Sequence, residues 1–151
     1  MRFILSLLIL LVMDQASKIW IINNFEVGQS VYIIDNLFSL TLVHNVGAAF
    51  GILQGKSWLF IIAALLVVGF LSFYNLKYTP KAYIQYACGI IAGGSIGNLI
   101  DRVLYGSVID FFSVVWWPVF NIADMGIVCG SIVLLIYFLF FDGGDKTCEL
   151  N

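Results

Sequence analysis

Long apolar stretches separated by short polar segments dominate this chain. Four of the stretches contain roughly 20 mostly apolar residues each, the length that a helix needs to cross a bilayer. They span residues 3–23, 58–75, 83–100 and 119–141. The first follows Arg2 as a secretory signal would, but no small-residue cleavage site follows it, so we expect it to remain as a helix. The pattern predicts a mainly α integral membrane protein with four transmembrane helices, forming a single domain over residues 1–151.

The segment between the first two helices, residues 24–57, is too polar and irregular to cross a bilayer. Apolar and polar residues alternate from Phe38 to Leu42, which is typical of a half-buried strand, and Asp35 and Asn36 provide a turn before it. We therefore expect a small extracytoplasmic β-sheet here. Its apolar face would rest on the bilayer or bind an extended peptide by strand addition. An ordinary structured loop is the alternative.

Composition agrees with a membrane location. Hydrophobic residues make up 62% of the chain and charged residues 11%, against about 25% in an ordinary soluble domain. The net charge is -2 and the sequence has no basic run, so we do not expect nucleic acid as a partner. Membrane lipids are the expected surroundings. Neither a disulfide framework nor a metal site is expected from three widely separated cysteines without a histidine cluster, Cys88, Cys129 and Cys148.

Basic residues predict the orientation of the helices. Four of them lie on the side that holds both termini, and two lie on the other side. The positive-inside rule therefore predicts that both termini are cytoplasmic. The first group is Arg2, Lys77, Lys81 and Lys146, and the second is Lys56 and Arg102.

Two aspartates, Asp110 and Asp124, lie close to one predicted membrane boundary. Asp124 is about 26 Å along a helix from Phe141, near the outer edge of a hydrocarbon core about 30 Å thick. Asp101 and Arg102 are expected to emerge from the third helix at the same edge. A carboxylate within the bilayer costs about 2.5 to 3.5 kcal/mol on insertion scales, and such residues are usually functional. Two at similar depth indicate acid–base chemistry.

The first helix carries an acid and a base four residues apart, Asp14 and Lys18. This spacing places both on one helix face, with the acid first in the favourable order. We expect an internal ion pair. The functional alternative is that Lys18 orients a group of the catalytic site or a lipid headgroup.

Glycines recur every four residues in the third helix, at Gly89, Gly93 and Gly97. Small residues at this spacing allow transmembrane helices to approach closely. Because Gly126 and Gly130 repeat the spacing in the fourth helix, we expect the third and fourth helices to pack tightly together.

Five motifs, in order along the chain, resemble the lipoprotein signal peptidases, or signal peptidase II, which are aspartic proteases of the bacterial cytoplasmic (inner) membrane. Chain length and the number of spans match as well, and no motif position departs from the family pattern. The motifs are DQASK at 14–18, NVGAAFG at 45–51, GSIGNLIDR at 94–102, VIDF at 108–111 and FNIAD at 120–124.

This resemblance implies an endopeptidase that cleaves prolipoproteins before a cysteine already modified with diacylglyceryl, near the extracytoplasmic face. It implies Asp110 and Asp124 as the catalytic pair, without a metal or an organic cofactor. Other residues are implied at the peptide site or in support of it. The peptide-site residues are Asn45, Asn98, Arg102 and Asn121, and the supporting residues are Asp14, Lys18 and Asp101.

Two carboxylates in one site share a proton because both cannot ionise easily. The ionised partner then takes a proton from the attacking water, and the protonated partner donates to the oxyanion and the leaving amine. Asn121 precedes Asp124 by three residues and is expected to share its helix face, where it fixes the carboxylate or holds the water. Asn98 has the same relation to Asp101.

Arg102 offers a planar fork of donors, suited to substrate carbonyls or to Asp101. An interfacial Asp101–Arg102 ion pair is the structural alternative. Asn45 precedes small residues that permit a backbone to approach, and a plain turn is its alternative. Residues 50–57 are expected to close over the bound peptide.

Two other classes of protein remain open on sequence grounds. A small proton- or ion-coupled carrier would use intramembrane aspartates as a relay, but the acids gather at one face and no inverted repeat is apparent. A membrane scaffold with ion-paired acids would leave Asp110 and Asp124 without named partners. We expect a monomer, because nothing in the sequence requires more.

Overall fold

The computed structural model describes residues 1–47 and 55–140. Within them the chain forms four helices and four strands. The helices are α1 (Arg2–Asn24), α2 (Ser57–Tyr78), α3 (Ala82–Tyr105) and α4 (Ile122–Phe140). The strands are β1 (Ser30–Ile34), β2 (Phe38–Asn45), β3 (Val108–Val114) and β4 (Trp117–Phe120). All four helices are long and apolar enough to cross a membrane, which confirms the predicted class.

The central helix is α3. Twelve of its residues are buried, compared with four in α1, two in α2 and three in α4. The other helices therefore turn most of their apolar surface outward, as expected where lipid rather than water surrounds them. Strand β2 follows α1 and strand β3 follows α3, and the two strands pair with each other. Both connections that carry strands therefore lie at one end of the bundle.

The glycine ridge of α3 has its tightest contacts with α1, although the ridge was expected to pack against α4. A Cβ atom at Gly89 or Gly93 would collide with the α1 backbone at Phe3 or Leu7, and one at Gly97 would collide with the Asp14 side chain. The period of four predicted close packing correctly, but it could not identify the partner helix.

The predicted tight packing of α3 against α4 is confirmed, through Gly94 of α3 and the predicted Gly130 of α4. A Cβ at Gly94 would meet the backbone oxygen of Ala123, and one at Gly130 would meet Ile91 and the backbone of Ala87. Gly126, which was expected to face α3, lies against Leu10 of α1 instead. The two interfaces of α3 together hold α1 and α4 at close range.

The boundaries of α3 and α4 differ from the prediction at the end that carries the strands. Helix α3 continues to Tyr105 and ends at Gly106, whose φ of 70° is the left-handed conformation that favours glycine. Asp101 and Arg102 are therefore helical residues and do not emerge from the helix. Val119, predicted as the start of the fourth helix, belongs to β4.

The strands form one antiparallel sheet in the order β1-β2-β3-β4. The predicted strand and the turn before it are present: Val31 pairs with Leu40, and Asn36 turns the chain with a φ of 53°. Strands β3 and β4 come from the connection between α3 and α4, which was predicted only as a short link. Because β3 is buried on both faces from Val108 to Phe111, its sequence lacks the alternation that reveals a half-buried strand.

A small apolar core anchors the sheet to the bundle. Leu42 of β2 packs with Ile109 and Phe111 of β3 and with Ile21 of α1, and Leu40 packs against this cluster. This part of the apolar face of β2 is therefore covered by the protein itself. Successive residues of a strand face opposite sides, so anchoring Ile109 and Phe111 turns Asp110 to the other side of β3.

Candidate active site

Both predicted catalytic aspartates line one cavity of about 300 Å³ at the end of the bundle that carries the sheet. Asp110 reaches it from β3 and Asp124 from the first turn of α4. Three polar residues predicted for the site share the lining, and β4 supplies an apolar wall. The polar residues are Asn45, Asn98 and Arg102, and the wall contains Trp117, Pro118, Val119 and Phe120.

Asp110 is buried, with 2% of its surface exposed. Its Oδ1 accepts a hydrogen bond from Asn121 Nδ2 at 2.7 Å, and its Oδ2 accepts one from Asn45 Nδ2 at 2.8 Å. Burial, and to a smaller extent the negative charge of Asp124, raise the pKa of Asp110 from 3.8 to about 7, although these two hydrogen bonds lower it. Asp110 therefore holds a proton at neutral pH far more readily than an ordinary aspartate.

Asp124 lies beside the N-terminus of α4. Its Oδ1 accepts from Asn98 Nδ2 at 2.8 Å, and its Oδ2 accepts from the backbone N–H of Asn121 at 3.3 Å. Asn121 Oδ1 in turn accepts from the backbone N–H of Asp124 at 2.9 Å. This reciprocal pair is the capping-box arrangement, and the positive end of the helix dipole stabilises a negative charge at this position.

Asn121 links the two aspartates. It directly precedes α4, so it caps the helix. The prediction that it shares a helical face with Asp124 is wrong. Its side chain is fully buried. The Nδ2 group lies 2.7 Å from Asp110 Oδ1 and 3.0 Å from Asn98 Oδ1, while Oδ1 receives the Asp124 N–H.

Lys18 forms the centre of a buried ionic cluster. Its Nζ lies 2.8 Å from Asp14 Oδ2, 2.7 Å from Asp101 Oδ2 and 3.0 Å from Asn98 Oδ1. The predicted i,i+4 ion pair is present, and Lys18 touches the Asn98 amide that in turn contacts Asp124. Lys18 is 2% exposed, so it is not placed to meet a lipid headgroup.

The two acids of this cluster each hold the backbone next to a predicted catalytic aspartate. Asp14 Oδ1 accepts from the N–H of Ala123 at 2.9 Å, one residue before Asp124. Asp101 Oδ2 accepts from the N–H of Ile109 at 3.1 Å, one residue before Asp110. The cluster therefore fixes the positions of both carboxylates relative to α1 and α3.

Arg102 stays at the cavity and does not pair with Asp101, whose ionic partner in the described part of the chain is Lys18. Arg102 Nη1 donates to the Asn98 backbone oxygen at 3.2 Å. Its guanidinium carbon lies 4.7 Å from the ring centroid of Phe60, within the range of a cation–π contact.

Asn45 combines the two roles that the sequence left open. Its Oδ1 accepts from the N–H of Gly47 at 3.0 Å, which forms a turn, and its Nδ2 donates to Asp110. The pairing of β2 with β3, in which Asn45 lies opposite Val108 and Val43 opposite Asp110, brings the amide to the carboxylate.

Gln15 and Phe60 were not predicted as site residues. Gln15 Nε2 lies 3.2 Å from Asp14 Oδ2 and 3.1 Å from Asp101 Oδ1, so it braces the ionic cluster. Its place in the DQASK motif was the available signal, whereas Phe60 lies in no motif. Residues 50–54 of the predicted lid, together with Lys146 and Cys148, lie outside the described residues.

The described residues include four helices that are long and apolar enough to span a membrane, and two aspartates line a polar cavity at one end of them. These features define a multi-pass membrane protein with an enzyme-like site. The family model described as "Signal peptidase (SPase) II" matches residues 6–140. The chain therefore belongs to the signal peptidase II family, as the motifs indicated.

Relatives support this assignment along nearly the whole chain. A lipoprotein signal peptidase of Syntrophomonas wolfei is 50% identical, with 92% of this chain and 93% of the relative covered. One of Clostridioides difficile is 47% identical, with 97% of this chain and 100% of the relative covered. A solved bacterial membrane enzyme structure superposes with a TM-score of 0.89 at 32% identity, covering 99% of this chain and 94% of that one. The chain is a membrane protease, and the carrier and scaffold alternatives are wrong.

Proposed function

We propose that this protein cleaves diacylglyceryl-modified prolipoproteins immediately before the lipidated cysteine, using Asp110 and Asp124 with water as the nucleophile. The family acts in removing signal peptides from prolipoproteins. The observation that supports the residue assignment is the convergence of the two carboxylates in one cavity, each accepting two hydrogen bonds. Asn45, Asn98 and Arg102 provide the polar surroundings that the bound peptide would meet. Asn121, predicted at the peptide site, is fully buried and contacts the two aspartates instead.

We assign the two aspartates different roles because their environments differ. Asp110 is buried in a strand and carries the raised pKa, whereas Asp124 lies in the first turn of α4, beside the N–H groups of the helix N-terminus. Asp124 therefore takes a proton from water as the water oxygen attacks the scissile carbonyl carbon. Asp110 donates a hydrogen bond to the developing oxyanion and then its proton to the leaving nitrogen as the C–N bond breaks. The pair ends with one proton, as it began.

Lipid modification of the substrate explains the depth of the site. Acyl chains stay in the bilayer because burial contributes about 0.8 kcal/mol per methylene, so the adjoining peptide bond must lie near the membrane boundary. The positive-inside rule supports cytoplasmic termini and an extracytoplasmic cavity, in the bacterial cytoplasmic membrane. We propose a monomer, since the site-forming residues all come from one chain.

Cleavage in ¹⁸O-labelled water tests this reaction directly. Purified protein and a lipidated precursor are expected to give a signal peptide ending before the cysteine, with one ¹⁸O in its new carboxyl group. The same precursor without its diacylglyceryl group should react much more slowly, because it lacks the acyl chains that hold the peptide at this depth. A cut at another bond, or equal rates for both precursors, would contradict the proposal.

The pH dependence of cleavage tests the role of Asp110. Its carboxyl group must be protonated to donate, and its pKa is raised to about 7, so kcat/KM should fall as the pH rises through about 7. The Asn45 amide stabilises the ionised form of Asp110. Asn45→Ala should therefore shift this descending limb to higher pH, whatever its effect on the maximum rate. If the descending limb does not move in Asn45→Ala, it belongs to the titration of a group other than Asp110. The control is Asp35→Asn, a substitution at an exposed position.

A further inference from the structure

Arg102 is held at the cavity although a long basic side chain near a helix end usually extends toward water. It lies in the last turn of α3 and interacts electrostatically with Asp124, Asp110 and Asp101. It shares the cavity lining with the first two of these acids. Within residues 1–47 and 55–140 it donates one hydrogen bond, to the Asn98 backbone oxygen at 3.2 Å, which uses one of the five N–H donors of a guanidinium.

The guanidinium carbon of Arg102 lies over the ring of Phe60, in the first turn of α2. The guanidinium carbon lies 4.7 Å from the ring centroid, and the negative face of an aromatic ring attracts a planar cation. The start of α2 is itself tied to α3, because Ser57 Oγ donates to the Gly106 backbone oxygen at 2.8 Å. Phe60 is thus supported at the position where it meets Arg102.

We propose that Phe60 is a positioning residue for cleavage: its ring holds the Arg102 guanidinium over the cavity, leaving the in-plane donors free for the substrate backbone. The inference rests on the proposed function, in which Arg102 meets substrate carbonyls. Phe60 lies in none of the five motifs, so only the packing of α2 against α3 reveals it.

Fluorinated phenylalanines at position 60 test this role with little change in volume. Each added fluorine withdraws electron density and weakens the attraction of the ring face for a cation. With the lipidated precursor, kcat/KM should fall stepwise from phenylalanine to the trifluoro side chain, and Phe60→Leu should lose about fivefold to thirtyfold. Thermal unfolding should stay constant across the fluorinated series. A purely space-filling role would leave cleavage unchanged by fluorine, which would overturn the proposal.

The matched control is Phe70→Leu, the same substitution on the outward face of α2, where Phe70 is 66% exposed. It should cleave at the wild-type rate. An equal loss in Phe60→Leu and Phe70→Leu would assign the effect to α2 in general and overturn the proposal.

A second measurement is independent of cleavage. The chain contains two arginines, Arg2 and Arg102, so NMR with ¹⁵N-labelled arginine resolves both side chains. Ring currents from Phe60 should move the Arg102 N–H protons upfield, and Phe60→Leu should return them while Arg2 stays unchanged. Failure of the wild type to cleave the precursor would refute the proposed function alone, and the Arg102 shift would still decide the contact. An Arg102 signal unaffected by Phe60→Leu overturns the inference.

Discussion

Asp124→Asn and Asp110→Asn are each expected to reduce cleavage of a lipidated precursor by about 10²- to 10⁴-fold, the usual contribution of a general acid or base. Asparagine at 124 cannot accept the proton of the attacking water, and asparagine at 110 cannot supply a proton to the leaving nitrogen. Single-turnover cleavage followed by mass spectrometry measures the effect on the chemical step. Retention of more than a tenth of the wild-type rate by either variant would refute the catalytic pair.

Folding must be measured alongside, because each carboxylate accepts two hydrogen bonds. At position 110 an amide would direct its NH₂ group at a donor, either Asn45 Nδ2 or Asn121 Nδ2. A modest loss of stability is therefore expected there, and thermal unfolding in detergent reveals it. The matched control is Asp35→Asn, since Asp35 is exposed in the turn between β1 and β2. It should fold and cleave as the wild type does.

Lys18→Met is expected to destabilise the protein by about 3–5 kcal/mol, because removing one partner leaves buried charges uncompensated. Asp14 and Asp101 are 0% and 1% exposed, and each lies within 2.8 Å of the ammonium group. Equilibrium unfolding in mixed micelles measures the change. Lys56→Met removes the same charge at an exposed position and should have little effect.

A triple variant separates folding from positioning. Adding Asp14→Asn and Asp101→Asn to Lys18→Met removes the uncompensated charges, so much of the lost stability should return. Cleavage should stay low, because the Asn98 amide loses the ammonium group that orients it toward Asp124. Recovery of both stability and cleavage would show that the cluster has no role in positioning.

The arrangement of this cluster explains why polar residues on α1 matter to a site built on β3 and α4. Asp14 and Asp101 bind the N–H groups immediately before Asp124 and Asp110. Both catalytic candidates are therefore positioned relative to the same buried cation, the ammonium group of Lys18. Strand β3 and helix α4 are thereby held in position relative to each other by residues of α1 and α3.

Much of the fold could be predicted from sequence because it follows from local patterns. Apolar length identified the four helices, alternation identified β2, and the i,i+4 spacing identified the Asp14–Lys18 pair. Strand β3 escaped because burial on both faces removes alternation. Strand β4 escaped because it has only four residues and contains Pro118, a residue that argues against a strand. The predicted ends of α3 and α4 differ from the observed ones for two reasons. Asp101 pairs with Lys18 inside the protein, so α3 continues past it, and Asn121 caps α4, so that helix begins later.

The amino-acid sequence alone identified a membrane protein with four spans that belongs to the signal peptidase II family. It also identified the candidate site residues, because hydrophobic length and ordered motifs are properties of sequence. Only the tertiary structure decided which partners those residues have. The glycine ridge packs on α1, Asp101 pairs with Lys18, and Phe60 contacts Arg102. Spacing along one helix defines a face, but it carries no information about which element packs there. That choice depends on the simultaneous packing of helices and strands far apart in the chain.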